Sequence, residues 1–376
     1  MNFLNHFLNF LREIQNNKMT TDSTLSEVCS TITGAKFTLV RQEIQENINN
    51  FLDWAENLLM RANSNKKINL AIDCEGYCLG SVEKSLSCIQ IGEIFNDSFD
   101  IKVNKNPPEI GSLPGYIVFT PFDDAVKTKL TEVLNHPSVT IFTFDFIGDF
   151  ATIIESGIPL EMNNIYDSQL STKDKPDSYI RCKSAGLAGI VKKAKKMDPL
   201  GLKAEQMKNR DKKNYFKVST FLLKDNPNPA SQVLTKDLLE MGADDIYMTG
   251  LAAVFSIKKG FTEAVITKTK EKVEEFKKFV DSMQSVLAPP IQRHLFFMRD
   301  LTFDQDVPLN DETEENLITL LEVFQKVFYI INGYKILKEN FECQVSLERA
   351  NEVYEQVVHK LDDNRSRLNE MLEKYA

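Results

Sequence analysis

The sequence predicts an α/β domain set between two helical regions, and three observations carry that reading. From Ile68 onward the chain breaks into short apolar runs of strand length, separated by turns. Helix-like stretches at 123–135, 148–156 and 235–256 follow some of these runs. On either side, apolar residues recur at helical spacing instead. The regions divide as 1–66 (helical), 67–260 (α/β) and 261–376 (helical).

Taken in order, MNFLNHFLNFLREIQNN at the start reads as an amphipathic packing helix rather than a leader. Its one full positive charge, Arg12, is cancelled by Glu13, and no small-residue cleavage site follows. Phe51, Leu52, Trp54, Leu58 and Leu59 mark a further helix, which the polar NSNKK at 63–67 ends. INLAID, SLSCIQIG, YIVF and VTIFTF then read as strands, the second following the first after a short turn, as in a hairpin. Beyond Thr262 the apolar stripes are helical again. One is Phe276, Phe279, Val280, Met283, Val286 and Leu287. A second is Leu317, Leu320, Leu321, Phe324, Val327, Phe328 and Ile331. Pro289-Pro290 and the acidic segment 300–315 punctuate them. A closing helix, from about Glu342 to Tyr375, carries Val357, Leu361, Leu368 and Leu372 near one seam. That seam either docks on the chain's own helices or pairs with a protein partner or a second copy.

Composition bounds the function classes. With 376 residues, 42% hydrophobic and 26% charged, the chain can bury a sizeable core. No apolar run approaches the roughly 18 residues of a membrane span, so no membrane role is expected. The six cysteines (Cys29, Cys74, Cys78, Cys88, Cys182 and Cys343) show no paired spacing and read as free thiols of a reducing, intracellular compartment, cytoplasm or nucleus. His6, His136, His294 and His359 lie far from any cysteine cluster, which argues against zinc.

The formal net charge of −9 argues against gripping nucleic acid by bulk charge. The charge is unevenly spread, however. Residues 1–66 carry 6 basic and 7 acidic groups, 67–260 carry 24 and 25, and 261–376 carry 15 and 22. Within the near-neutral middle, 192–217 holds ten Lys and Arg against three acidic residues. Lys192, Lys193, Lys195, Lys196, Lys208, Arg210, Lys212, Lys213 and Tyr215 stand there. This run is either a solvated face or a surface that tracks phosphates and offers an aromatic for stacking.

The sharpest local feature is LAIDCEG at 70–76, an apolar strand ending in Asp73-Cys74-Glu75-Gly76. Residues i and i+2 of a strand share a face, so Asp73 and Glu75 point one way. Two such carboxylates repel unless protons or a cation compensate, and hard oxygen ligands suit Mg²⁺ or Mn²⁺. Further acids follow at FTFDFIGDFATI, with Asp145 and Asp149 near a strand-to-helix junction. LLEMGADDIYM then puts Asp244 and Asp245 on a helix.

In this order the acids resemble the DEDD superfamily of 3′–5′ exonucleases, in particular its ribonuclease D-like branch. AIDCEG with SLSCIQIG looks like the first motif, IFTFDFIGDF the second and LLEMGADD the third. IYDSQL at 165–170 is similar to the strand between the second and third motifs. The resemblance covers 68–258. It implies a ribonuclease H-like domain, a mixed central sheet flanked by helices. It also implies a metal-dependent exonuclease that hydrolyses RNA or single-stranded DNA from the 3′ end with two Mg²⁺ or Mn²⁺ ions. Asp73, Glu75, Asp149 and Asp245 match the metal-ligating and catalytic acids. Asp145 is either a neighbour of that site or the cap of the following helix. The third motif usually has Tyr or His four residues before its Asp, where this chain has Met241, which accepts no proton. A shifted register would make Asp244 the ligand and put Glu240 in that slot; the apolar and small-residue flanks favour Asp245. Phe144 stands where the second motif often has a polar group. These departures leave a second reading, a catalytically inactive exonuclease-like module that binds RNA or a protein partner.

Overall fold

All four apolar runs of the middle region form strands of one seven-stranded sheet. The computed structural model describes residues 25–77, 85–104, 106–111, 114–171, 186–208 and 236–283, helical positions 317, 320, 323, 327 and 331, and 346–367 with 370. The N-terminal packing helix, Arg210, Lys212, Lys213, Tyr215, Pro289-Pro290, Leu368 and Leu372 fall outside these residues. So do Cys78, Cys182 and Cys343, while Cys29, Cys74 and Cys88 are free thiols.

In chain order the elements begin with β1 (Glu27–Cys29), β2 (Lys36–Val40), α1 (Gln45–Asn63), β3 (Ile68–Tyr77) and β4 (Ser85–Phe95). There follow β5 (Gly115–Phe119), α2 (Asp124–Asn135), β6 (Val139–Thr143), α3 (Phe146–Glu155) and β7 (Ile165–Asp167). The last are α4 (Leu187–Ala194), a helical segment at 201–208, α5 (Lys236–Lys258), α6 (Thr262–Met283) and α7 (Leu347–Asp363). The sheet order is β1-β2-β5-β4-β3-β6-β7. β4 runs antiparallel to both β3 and β5, while β3, β6 and β7 run parallel. Numbered in chain order, the five strands β3 to β7 therefore lie third, second, first, fourth, fifth, with the second reversed. That is the order and direction of a ribonuclease H-like sheet, and the expected mixed sheet flanked by helices is present.

One expectation needs correcting. The helical reading of the first 66 residues holds for α1 but not for 27–29 and 36–40, which are strands β1 and β2. Phe37, Leu39 and Val40 are buried against the sheet, and β2 pairs parallel with β5. Helix periodicity was strong only from Phe51 on, and a three-residue strand carries too little pattern to register.

The two faces of the sheet bury different cores. On one, α1, α2 and α3 cover Leu70, Ile72, Ile89 and Ile91 with Phe51, Leu58, Leu130, Phe146 and Phe150. Leu317, Leu320, Val323, Val327, Val353, Val357 and Leu361 join this same core, so α7 docks on the chain itself. On the other, α5 lies against Ala71, Cys88, Ile94, Ile117 and Phe142. α5 is buried almost continuously from Gly242 to Ile257, on all sides, because α4 covers its outer face. A polar residue on such a helix must therefore find partners or line a site. No helix among the described residues is long and apolar enough to cross a membrane.

Candidate active site

β3 delivers the first two acids. Asp73 stands opposite Gln90 of β4 and Glu75 opposite Cys88, on the face covered by α5. Cys74, between them, points into the other core, where its thiol donates to the Asp149 carbonyl at 4.0 Å. A register irregularity follows Glu75, and the strand ends at Tyr77.

The third acid comes from α5, and a glycine sets its height. A Cβ on Gly242 would come within 2.5 Å of the Gln90 amide nitrogen, so with any larger residue there either the Gln90 side chain or the helix would have to shift. Less than a turn later, Asp245 meets the β3 acids. One carboxylate oxygen from each of Asp73, Glu75 and Asp245 lies within 4.8 Å of the others.

The neighbouring aspartates separate cleanly. Asp244 is fully buried and turned away. It accepts hydrogen bonds from the Ser30 and Thr31 hydroxyls and from the Ile32 N–H, tying α5 to the turn between β1 and β2. Of the two neighbours, Asp245 is thus the one that faces Asp73 and Glu75, while Asp244 faces the β1–β2 turn. Tyr247 is also committed elsewhere, donating to Asp198, whose other carboxylate oxygen accepts the Ile110 N–H. Met241 lies half-buried, one turn before Asp245.

The other predicted acids are not among these three. Asp149, on α3, is buried at 7% exposure, and its carboxylate is not among the three converging oxygens. Asp145 occupies the N-cap position of α3 in the left-handed region, φ 74°, but its side chain caps nothing. Its backbone N–H instead donates to Asp167 at the end of β7, 3.0 Å away. Burial, and then the Asp145 charge, push Asp167 up to about 6, with Lys272 opposing.

Electrostatics mark the three-carboxylate group as under-compensated. Burial and the neighbouring Asp245 push Asp73 up to about 7, against the pull of Lys208 and the Cys74 N–H. The Cys88 thiol, facing the same acids from β4, is also pushed up, by burial first and then by Glu75 and Asp73. A divalent cation suits this set, since hard carboxylate oxygens from two elements converge where negative charge is in excess.

Within the basic run, Lys192, Lys193 and Lys196 are exposed at the end of α4. Lys195 is paired with Glu205 at 2.8 Å. Lys208 reaches the acidic group itself, 2.6 Å from Asp245 Oδ1. Nothing in the sequence pointed to that contact, because a lysine within a basic run has no pattern of its own.

No protein-family model and no curated protein matches the chain. Among solved structures it is similar to Brucella melitensis NrnC with bound Mg²⁺, at 14% identity and TM-score 0.26, covering 62% of this chain and 86% of that one. It is similar to Escherichia coli RNase D, an exoribonuclease involved in structured RNA processing, at 12% identity and TM-score 0.33, covering 90% and 75%. It is also similar to the catalytic core of Trypanosoma brucei RRP6, at 11% identity and TM-score 0.36, covering 98% and 89%. The likeness is one of fold.

Proposed function

We propose that the protein is a metal-dependent 3′–5′ exonuclease acting on RNA or single-stranded DNA. The observation that supports this most is the convergence of Asp73, Glu75 and Asp245, from a strand and a distant helix, within 4.8 Å. These three would hold one Mg²⁺ or Mn²⁺, and Asp149 of α3 would be the acid offered to a second. With a divalent ion held by these residues, the site would gain a more acidic bound water and a positive charge beside the leaving 3′ oxygen. The chain's own residues position that chemistry: β3 fixes two ligands on one face, and Gly242 sets the depth of the third. Lys192, Lys193 and Lys196 give an exposed basic face for the phosphate backbone of the substrate.

Two observations favour the alternative, an inactive module that binds RNA or a protein partner. Met241 leaves the helical turn before Asp245 without a group that can take a proton, and Lys208 sits on Asp245. The deciding experiment incubates the purified full chain with a 5′-labelled single strand and Mg²⁺ or Mn²⁺. Shortening from the 3′ end, abolished in Asp73→Asn, supports the enzyme. No metal-dependent shortening of either RNA or DNA would leave the binding module. For that module, reversing Lys192, Lys193 and Lys196 to Glu should weaken binding and flatten its salt dependence.

A further inference from the structure

We propose that Lys208 is a resident cation of the acidic cluster, which a divalent ion must displace from Asp245 in order to bind. The proposal rests on the metal-binding reading of Asp73, Glu75 and Asp245 given above. Three carboxylates drawn this close need positive charge, and Lys208 supplies it from within the chain.

The contact is partly shielded from solvent, with the Asp245 side chain 9% and the Lys208 side chain 20% exposed. Water and salt therefore weaken it less than an open surface pair. The ammonium takes Oδ1 of Asp245 at 2.6 Å. A small divalent ion needs carboxylate oxygens at about 2.1 Å, and its charge repels an ammonium so close by. Both cations cannot hold that oxygen at full strength.

Lys208 is also delivered by a built support rather than by a loose surface chain. In the segment 201–208, Ala204 is fully buried and Met207 packs on the core beneath α5. Lys203 Nζ donates to the Ile32 carbonyl at 2.9 Å, and Glu205 pairs with Lys195. A Cβ on Gly201 would come within 2.6 Å of the Lys195 carbonyl oxygen, so the segment turns tightly against the end of α4. Just before it, Asp198 is fastened to Tyr247 of α5 and to the Ile110 N–H. The helix that carries Asp245 is thus tied to the segment that carries Lys208. In the metal-free protein the site is neutralised in part by its own lysine, and metal affinity is set by the contest between the two cations.

The test is Mn²⁺ binding to the full chain, followed by calorimetry and by the loss of the free-ion paramagnetic resonance signal. Lys208→Gln should bind Mn²⁺ about tenfold more tightly than the wild type. Lys208→Arg, which keeps the charge, should stay at wild-type affinity. Thermal unfolding in EDTA gives an independent readout. Lys208→Gln should melt below the wild type there, and saturating Mn²⁺ should close the gap. Equal or weaker Mn²⁺ binding by Lys208→Gln, with its fold intact by circular dichroism, would overturn the lysine's role and leave the metal site standing. Should Lys208→Gln fail to fold, tight binding by Lys208→Arg would overturn the proposal alone. Absence of Mn²⁺ binding in every variant would sink the metal reading together with it.

Discussion

Two acidic groups lie at the carboxyl ends of the parallel strands, and they handle their charge in opposite ways. At the end of β3, Asp73 and Glu75 meet Asp245 of α5, and the ammonium of Lys208 pairs with Asp245. At the ends of β6 and β7, the Asp167 carboxylate is served by the backbone, the N–H of Asp145 included. Asp167 is fully buried, and its Oδ1 accepts from the N–H groups of Asp145 and Gln169, each at 3.0 Å. In the first group a lysine ammonium sits directly on a carboxylate; in the second, main-chain N–H groups do, with the charge of Lys272 also acting. Acid count alone does not separate a binding site from a structural junction. What separates these two is direct contact, a lysine ammonium on Asp245 in one and main-chain N–H groups on Asp167 in the other.

The largest effect expected from breaking this contrast is at Asp73. Asp73→Asn removes one of three converging oxygens, so metal-dependent hydrolysis should fall to background, on the order of 10³-fold or more, as for loss of a group central to the chemistry. Stability without metal should hold or rise, because a crowded carboxylate has gone. A large loss of stability in EDTA would instead make Asp73 part of the structural framework. Next comes Met241, which tests what the site lacks. Met241→Tyr places a proton-accepting hydroxyl one turn before Asp245, and the turnover number should rise by about 10²-fold. Unchanged turnover with Mn²⁺ bound would show that proton removal does not limit the reaction.

Gly242→Ala probes the packing that brings the two halves of the metal group together. The added methyl meets the Gln90 side chain at 2.5 Å, so α5 or Gln90 must shift. Overpacking of this kind costs about 1–3 kcal/mol. The same shift draws Asp245 away from Asp73, so Mn²⁺ affinity should fall along with stability. Chemical denaturation and metal titration of the one variant measure both. A stability loss without any change in metal affinity would mean that Gln90 yields and the helix stays.

The contrast between the two groups was half legible in the sequence. Asp73 and Glu75 could be read because strand geometry puts i and i+2 on one face. Asp245 could be favoured over Asp244 only because its apolar and small-residue flanks fit the third motif better, not from any local geometry. The strands β3 to β6 could be read because each is a short apolar run with clear ends. β1 and β2 could not: Glu27 and Lys36, which pair across the sheet edge at 3.0 Å, interrupt the little pattern that they have. Lys208 and Asp167 were hidden for another reason. Their roles depend on contacts across 37 residues to Asp245 and 22 residues to Asp145, and no local spacing encodes such distances.

A pH dependence reads the second group. Asp167 is pushed up to about 6 in the folded protein from an ordinary value of 3.8. The folded state thus binds the proton more tightly than the unfolded chain. Stability from this residue is greatest below about pH 4, falls as pH rises toward 6 and is flat above that. A rise of that size corresponds to roughly 2–3 kcal/mol. Asp167→Asn keeps the acceptor for the two N–H groups and loses the titration. Its stability relative to the wild type should therefore grow by about that amount between pH 4 and pH 7, measured by urea denaturation. An unchanged difference across that range would show that the buried carboxyl titrates near its ordinary value.

The smallest expected effect sharpens the comparison most, because it tests what raises Asp167. Burial is the larger cause and the Asp145 charge the smaller. Asp145→Asn removes the charge but retains the N–H that Asp167 accepts, and Asn tolerates the left-handed backbone found there, φ 74°. The Asp167 midpoint, followed through its carboxyl carbon by nuclear magnetic resonance, should then move down yet stay above its ordinary value. A fall all the way to the ordinary range would make like-charge repulsion the dominant cause. The β6–β7 group would then be a set of crowded carboxylates like that at β3, and would itself become a place to look for a cation. A midpoint that stays raised keeps the two groups distinct in kind, one shaped to exchange a charge and the other to bury it.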